Sequence, residues 1–146
     1  MISIDLQLCD IQGRLFKLSV RRGINSAEFI RVFMKSATTK ALDSTYSRMQ
    51  WAGEEYLLEE ILDEAGDRFE KVGDVYSDEL IYWIGYLYRY WHYVTGESSK
   101  EIYRQAPIKV MKKNYGRLYM MTPDKAIETI KSHRRQNLLV VLHSGR

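Results

Sequence analysis

Leu80-Ile81-Tyr82-Trp83-Ile84-Gly85-Tyr86-Leu87-Tyr88-Arg89-Tyr90-Trp91-His92-Tyr93-Val94 places seven aromatic rings in one stretch, and Arg89 and His92 are its only ionisable interruptions besides the phenols. Ser77 is a good N-cap, Asp78 and Glu79 suit the positive first turn, and Thr95-Gly96 is a stop signal. The spacing therefore predicts a helix over about 77–95. Spanning a bilayer takes about 20 apolar residues, and Arg89 sits in the middle of the run, so the segment reads as a buried helix and no membrane role is expected. So much ring surface must be covered by other elements.

Those elements read as helices on both sides. Ile4, Leu8, Ile11, Leu15 and Leu18 follow steps of four and three, the stripe of an amphipathic helix ending near Gly23, with a short strand over the first eight residues as the competing reading. Asn25 or Ser26 caps a second helix carrying Phe29, Ile30, Phe33 and Met34 to about Ser36. A polar stretch follows, with a helical turn around Lys40 to Asp43. Met49, Trp51, Tyr56, Leu57, Leu58, Ile61 and Leu62 then mark a helix that Gly66 stops. Past a charged connector (67–76) and the aromatic helix, Ser98 with Glu101 forms a capping-box pattern for a short helix to Ala106. Pro107 opens another to about Tyr115, and Thr122-Pro123-Asp124 starts a last one with Ala126, Ile127 and Ile130 inward. The tail, Asn137 to Arg146, holds the β-favouring run Leu-Leu-Val-Val-Leu, which reads either as a short C-terminal strand or as irregular packing. The expectation is an all-α single domain over 1–146, with six or seven helices around the aromatic one.

Composition agrees with that class. A chain of 146 residues is long enough for one real core, and 45% hydrophobic with 28% charged residues is ordinary for a globular domain. Cys9 is the only cysteine, so neither an intrachain disulfide nor a thiolate metal cluster is expected. The first residues lack the basic leader and continuous apolar stretch of a secretory signal, and the expected location is the cytoplasm.

Charge is segregated along the chain. Residues 53–80 hold eleven acids against two bases, residues 81–146 hold twelve bases against four acids, and residues 1–52 carry net +4, so the total of +3 hides a dipolar surface. Solvated helix faces are the plain explanation. The sharper one is that acids such as Glu55 and Glu59 meet a basic partner. On the basic side Lys109, Lys112, Lys113 and Arg117, with Lys131, Arg134 and Arg135 later, suit phosphates through the nonspecific electrostatic term, although no base-reading helix is evident and the acidic belt repels a duplex.

Residues on the aromatic helix sort at about 100° each. Leu80, Trp83, Ile84, Leu87, Tyr90, Trp91 and Val94 form the expected core side, and Ile81, Gly85, Tyr88 and His92 a second strip on which Gly85 admits another helix closely. The third strip is Tyr82, Tyr86, Arg89 and Tyr93. Three phenols around one guanidinium need polar partners if buried. Either a carboxylate of the acidic helix pairs with Arg89, or the strip is a recognition groove in which Arg89 holds a partner's carboxylate bidentately. Catalytic readings find little support: His92, Asp78, Ser98 and Ser99 lie near one another without a nucleophile elbow, phosphate loop or metal-ligand spacing, and Glu54-Glu55 and Glu59-Glu60 lack the Glu-x-x-His of a di-metal bundle. No catalytic residue, cofactor or metal is expected.

Tyr82-Trp83-Ile84-Gly85-Tyr86, Arg89-Tyr90-Trp91, Thr95-Gly96-Glu97-Ser98-Ser99-Lys100 with Ile102-Tyr103, and Met49 through Tyr56 together resemble small, uncharacterised bacterial proteins that look like antitoxin components of toxin–antitoxin loci. The resemblance spans about residues 33–130 and implies a cytoplasmic protein that neutralises a toxin enzyme by binding it. It assigns no individual residue. The reading reached is a noncatalytic protein-binding module of antitoxin type, contacting its partner through Tyr82, Tyr86, Arg89, Tyr93, Glu55 and Glu59. A nucleic-acid-binding regulator using Lys109, Lys112, Lys113 and Arg117 is the second, and a small enzyme centred on His92 or Arg89 the third. The oligomeric state is not legible.

Overall fold

The structure, a computed structural model, describes residues 3–44, 48–69 and 73–144. Glu70, Lys71 and Arg146, counted in the charge balance above, lie outside them. Eight α-helices occur among the described residues: α1 (Ser3–Arg21), α2 (Ser26–Met34), α3 (Ala37–Asp43), α4 (Glu54–Ala65), α5 (Asp78–Thr95), α6 (Ser99–Gln105), α7 (Ile108–Leu118) and α8 (Pro123–Ser144). Single 3₁₀ turns at Arg48–Trp51 and Gly66–Phe69 flank α4. No helix among the described residues is long and apolar enough to cross a membrane.

Local chemistry explains most of the boundaries. The side chains of Asn25, Ser36, Ser77 and Ser98 each accept a hydrogen bond from the backbone N–H three residues on, at 3.0–3.2 Å, which satisfies one orphan donor at each helix start. Gly23, Gly66 and Gly96 adopt φ of 71°, 58° and 76°, the left-handed region that ends helices cheaply only at glycine.

Two expectations need correction. The polar stretch after α2 was expected to hold only a turn but forms the full helix α3, which raises the count to eight. Its start is completed from far along the chain: the Glu64 carboxylate of α4 accepts from the Ala37 and Thr38 amides at 2.7 and 3.1 Å and from the Thr38 hydroxyl at 3.0 Å. The C-terminal run is no strand. Leu138 to Leu142 continues α8, because extending a helix already anchored by Ala126, Ile127 and Ile130 adds one hydrogen bond per residue fixed, whereas no strand edge exists among the described residues to pair with.

α5 is the axis of the core, and α1 is its most extensive neighbour. Leu80, Ile81, Ile84, Leu87, Tyr88 and Trp91 of α5 join Phe16, Phe29, Phe33, Leu57, Leu58 and Ile61 in one cluster that also takes Ile102, Met111, Leu118 and Ile130 from the later helices. The face that α1 buries is Leu8, Cys9, Gln12, Gly13, Leu15, Phe16 and Ser19, rotated from the aliphatic stripe, since Ile4, Ile11 and Leu18 are only half-buried. Gly13 belongs on that face because the two helices touch at Gly85: a Cβ there would lie 2.8 Å from the Gln12 carbonyl oxygen and 3.1 Å from the Gly13 Cα. The close approach expected at Gly85 is therefore observed.

Candidate partner-binding surface

Arg89 points inward. It is 1% exposed, and its guanidinium donates from Nε to Gln12 Oε1 at 2.8 Å, from Nη1 to Asp43 Oδ1 at 2.7 Å and from Nη2 to Ser99 Oγ at 3.3 Å. Asp43 in turn accepts from the Ser99 amide at 2.8 Å and the Ser99 hydroxyl at 2.7 Å, so one carboxylate caps α6 and neutralises α5. Gln12 Nε2 donates to the Gly85 carbonyl at 2.9 Å, and His92 Nδ1 lies 2.7 Å from the Glu97 carbonyl and 3.8 Å from Asp43. Helices α1, α3, α5 and α6 meet in this network. The gap beside Arg89 and Tyr93 has a volume of about 10 Å³, room for a water molecule at most. The expectation that Arg89 faces a partner is thus corrected: an internal carboxylate seals it, and that carboxylate comes from α3 rather than from the acidic helix α4.

The tyrosine strip divides along its length. Leu8, Ile11 and Gln12 of α1, Leu42 of α3 and Leu57 of α4 converge on Arg89 and the inner end of the half-exposed Tyr93, while Tyr82 and Tyr86, two turns earlier, are half-exposed beside α1. Tyr90 takes the place expected for Tyr93. The rings of Tyr82, Tyr86 and Tyr90 form a column with centroids 6.0 and 6.2 Å apart, closed by Asp10 accepting from Tyr82 Oη at 2.5 Å and Asp124 accepting from Tyr90 Oη at 2.8 Å. Burial, then the hydrogen bond to Asp124, pushes the Tyr90 phenol up to about 12. The Tyr93 hydroxyl is buried and has no hydrogen-bond partner among the described residues; burial raises it to about 12 against the lowering influence of Arg89.

Glu55 and Glu59 are exposed on α4, but α1 runs between them and the tyrosine column. Arg22, just past the end of α1, reaches Glu59 at 3.5 Å and Arg14 of α1 reaches Glu54 at 3.7 Å, so part of the acidic ridge is already met from within the chain. The six residues expected to form one partner site therefore fall into three separate places.

The basic residues come together instead. Lys109, Lys113 and Arg117, at steps of four along α7, line a groove of about 690 Å³ against α8, whose opposite wall carries His133 and Arg134. Lys112 leaves this group and sits over the Tyr76 ring, 4.7 Å from its centroid. Its apolar lining comes from Val110, Ile130, Leu138 and Val141, and among the described residues no carboxylate lines the groove. Arg117 donates to Asn114 Oδ1 at 2.7 Å and lies 3.2 Å from His133 Nδ1, which holds it over the cleft. Lys131 anchors α8 to the body: its Nζ donates to Glu97 at 2.5 Å and to Gln105 at 3.1 Å, and it lies 5.5 Å from the Trp91 ring.

Beyond that anchor α8 stands away from the core. Leu138, Leu139, Val140, Val141 and Leu142 are 50%, 55%, 64%, 63% and 74% exposed, a run of apolar surface that isolated surface leucines do not explain. This is the feature that reading the sequence missed. The run was visible as apolar; what was not visible is that it prolongs a helix past the last residue the core covers. Comparisons with protein-family models, with curated proteins and with solved structures return no match.

Proposed function

We propose that this protein is a noncatalytic binding module that captures a second protein on the face formed by α7 and α8, in the manner of an antitoxin that neutralises its toxin by contact in the cytoplasm. One observation carries the reading: the α8 end presents five consecutive apolar residues at 50–74% exposure next to a groove of about 690 Å³. Apolar surface of that kind is a protein-interaction signature, because removing it from water on association yields about 25 cal/mol per Å². The antitoxin part of the reading rests on the sequence resemblance. The face proposed differs from the tyrosine strip first expected, since Arg89 is held internally by Gln12 and Asp43 and the Tyr93 hydroxyl is buried.

The test is co-expression with the product of a neighbouring toxin-like gene. The full chain is expected to co-purify with it at fixed stoichiometry, and a chain truncated after Asn137 to lose it while remaining helical by circular dichroism. Equal retention by both chains would sink the proposal.

A second reading, nucleic-acid binding, is favoured by Lys109, Lys113 and Arg117 sharing one groove. It predicts affinity for duplex or single-stranded nucleic acid that falls steeply with salt. A flat, salt-independent anisotropy titration would remove it.

A further inference from the structure

We infer that the groove between α7 and α8 receives an acidic amphipathic helix supplied by the protein partner, a step that rests on the protein-binding reading above. Three features of the groove lead to it.

The first is uncompensated charge. Among the described residues, four lysine and arginine side chains have carboxylate partners: Arg14 with Asp10 and Glu54, Arg22 with Glu59, Arg89 with Asp43, Lys131 with Glu97. Other bases, such as Lys35 and Arg104, have none there, and what marks the groove is that several such bases gather in it. Lys109, Lys113, Arg117 and Arg134 make no ion pair with a carboxylate among the described residues, yet all four surround one cleft. Like charges at steps of four on a helix disfavour it slightly, so the cluster is at its most stable with an anionic occupant. An acidic occupant would supply the complementary charge that the described residues do not.

The second is the apolar lining. Val110, Ile130, Leu138 and Val141 line the same groove as the basic side chains, and a phosphate backbone by itself finds no partner in them. A helix with leucine-like residues at i, i+3, i+4 and i+7, bordered by Asp and Glu, matches both the apolar and the basic lining. The third is length. The eleven residues of α7 extend about 16 Å, the span of three helical turns of an occupant lying alongside.

A second copy of this chain is a poorer occupant. Its acidic helix α4 turns Leu57, Leu58 and Ile61 into its own core, at 0–1% exposure, and cannot offer them without unfolding.

The experiment uses the full chain and fluorescein-labelled designed helices of about 15 residues, long enough to show helicity. One carries a leucine stripe flanked by glutamates, one the same stripe flanked by lysines, and a labelled oligonucleotide serves as the third probe. The acidic helix is expected to bind, the lysine helix not. Lys113→Glu with Arg117→Glu should weaken the acidic helix at least tenfold, and Leu138→Glu comparably, with circular dichroism unchanged. No binding of the acidic helix, or equal binding of the lysine helix, overturns the inference. Preferential binding of the oligonucleotide assigns the groove to nucleic acid and overturns it too. So does self-association of the chain alone that the same substitutions abolish. A toxin-like partner that is lost on truncation after Asn137 yet tolerates Lys113→Glu with Arg117→Glu would reject the groove inference and leave the protein-binding reading standing.

Discussion

Asp43 Oδ1 and Arg89 Nη1 are 2.7 Å apart at a site where the arginine is 1% and the aspartate 13% exposed. A pair so placed is expensive to break one side at a time, because the survivor is left charged and dry. Arg89→Ala and Asp43→Ala should each destabilise the fold by about 3–5 kcal/mol in urea titrations. The double variant should cost less than the two combined, with a coupling of about 1–3 kcal/mol. Strict additivity would mean that the two side chains do not sense each other.

Tyrosine hydroxyls of α5 should split by sign. Tyr82→Phe removes the 2.5 Å bond to Asp10 and is expected to cost about 1 kcal/mol. Tyr93→Phe removes a buried hydroxyl without a partner among the described residues and should be neutral or stabilising. Thermal melts of the two variants check this, and a loss at Tyr93 as large as at Tyr82 would contradict it.

These residues show what was legible and what was not. Helix positions on α5 follow from its rings, Ser77 and Gly96, and Gly85 was readable as a contact because only a missing side chain explains a glycine there. The strip Tyr82, Tyr86, Arg89, Tyr93 was correct as geometry on one helix. Yet a helical wheel has no long axis, and it is along that axis that α3 and α1 cover Arg89 and the hydroxyl of Tyr93. Asp43 lies 46 residues from Arg89, so nothing local announces the pair. The groove fared better in part: Lys109, Lys113 and Arg117 share a face by spacing alone, while Arg134 joins them only through tertiary packing.

Two glycines inside helices should respond oppositely to alanine. Gly116→Ala in α7 meets nothing within 4 Å and should gain the helix propensity difference, about 0.5–1 kcal/mol. Gly85→Ala gains the same term but drives a Cβ to 2.8 Å from the Gln12 carbonyl oxygen, a backbone atom that can yield only if α1 moves away. A net loss of 1–3 kcal/mol is expected from such overpacking. Matching melting temperatures for the two variants would mean that α1 and α5 are not in this contact.

Acid should loosen α8. Burial acts to raise the Glu97 carboxyl, but hydrogen bonds from Lys131, Gln105 and Trp91 outweigh it and hold the group at about 2 against an ordinary 4.5. The folded state therefore binds fewer protons than the unfolded one between those values. The stability this contributes is complete above pH 4.5 and disappears as pH falls towards 2, on the order of 2 kcal/mol in all. Glu97→Gln should be less stable than the parent at pH 6 and converge with it near pH 2, measured by urea midpoints at each pH. A constant gap across that range would show that the carboxylate is not held by these partners.

The apolar end of α8 has a stability signature distinct from that of any core leucine. Leu139 and Leu142 are 55% and 74% exposed, so replacing them removes little buried area, and lysine has nearly the helix propensity of leucine. Leu139→Lys with Leu142→Lys should therefore shift unfolding by no more than about 0.5 kcal/mol. The same change cuts the exposed apolar run in two, and the binding of an apolar dye to the native protein should fall with it. Capture of a protein partner on this face should fall in parallel. A double variant that melts several degrees lower would show that these side chains pack against the body, and the surface proposed for the partner would lose its principal support.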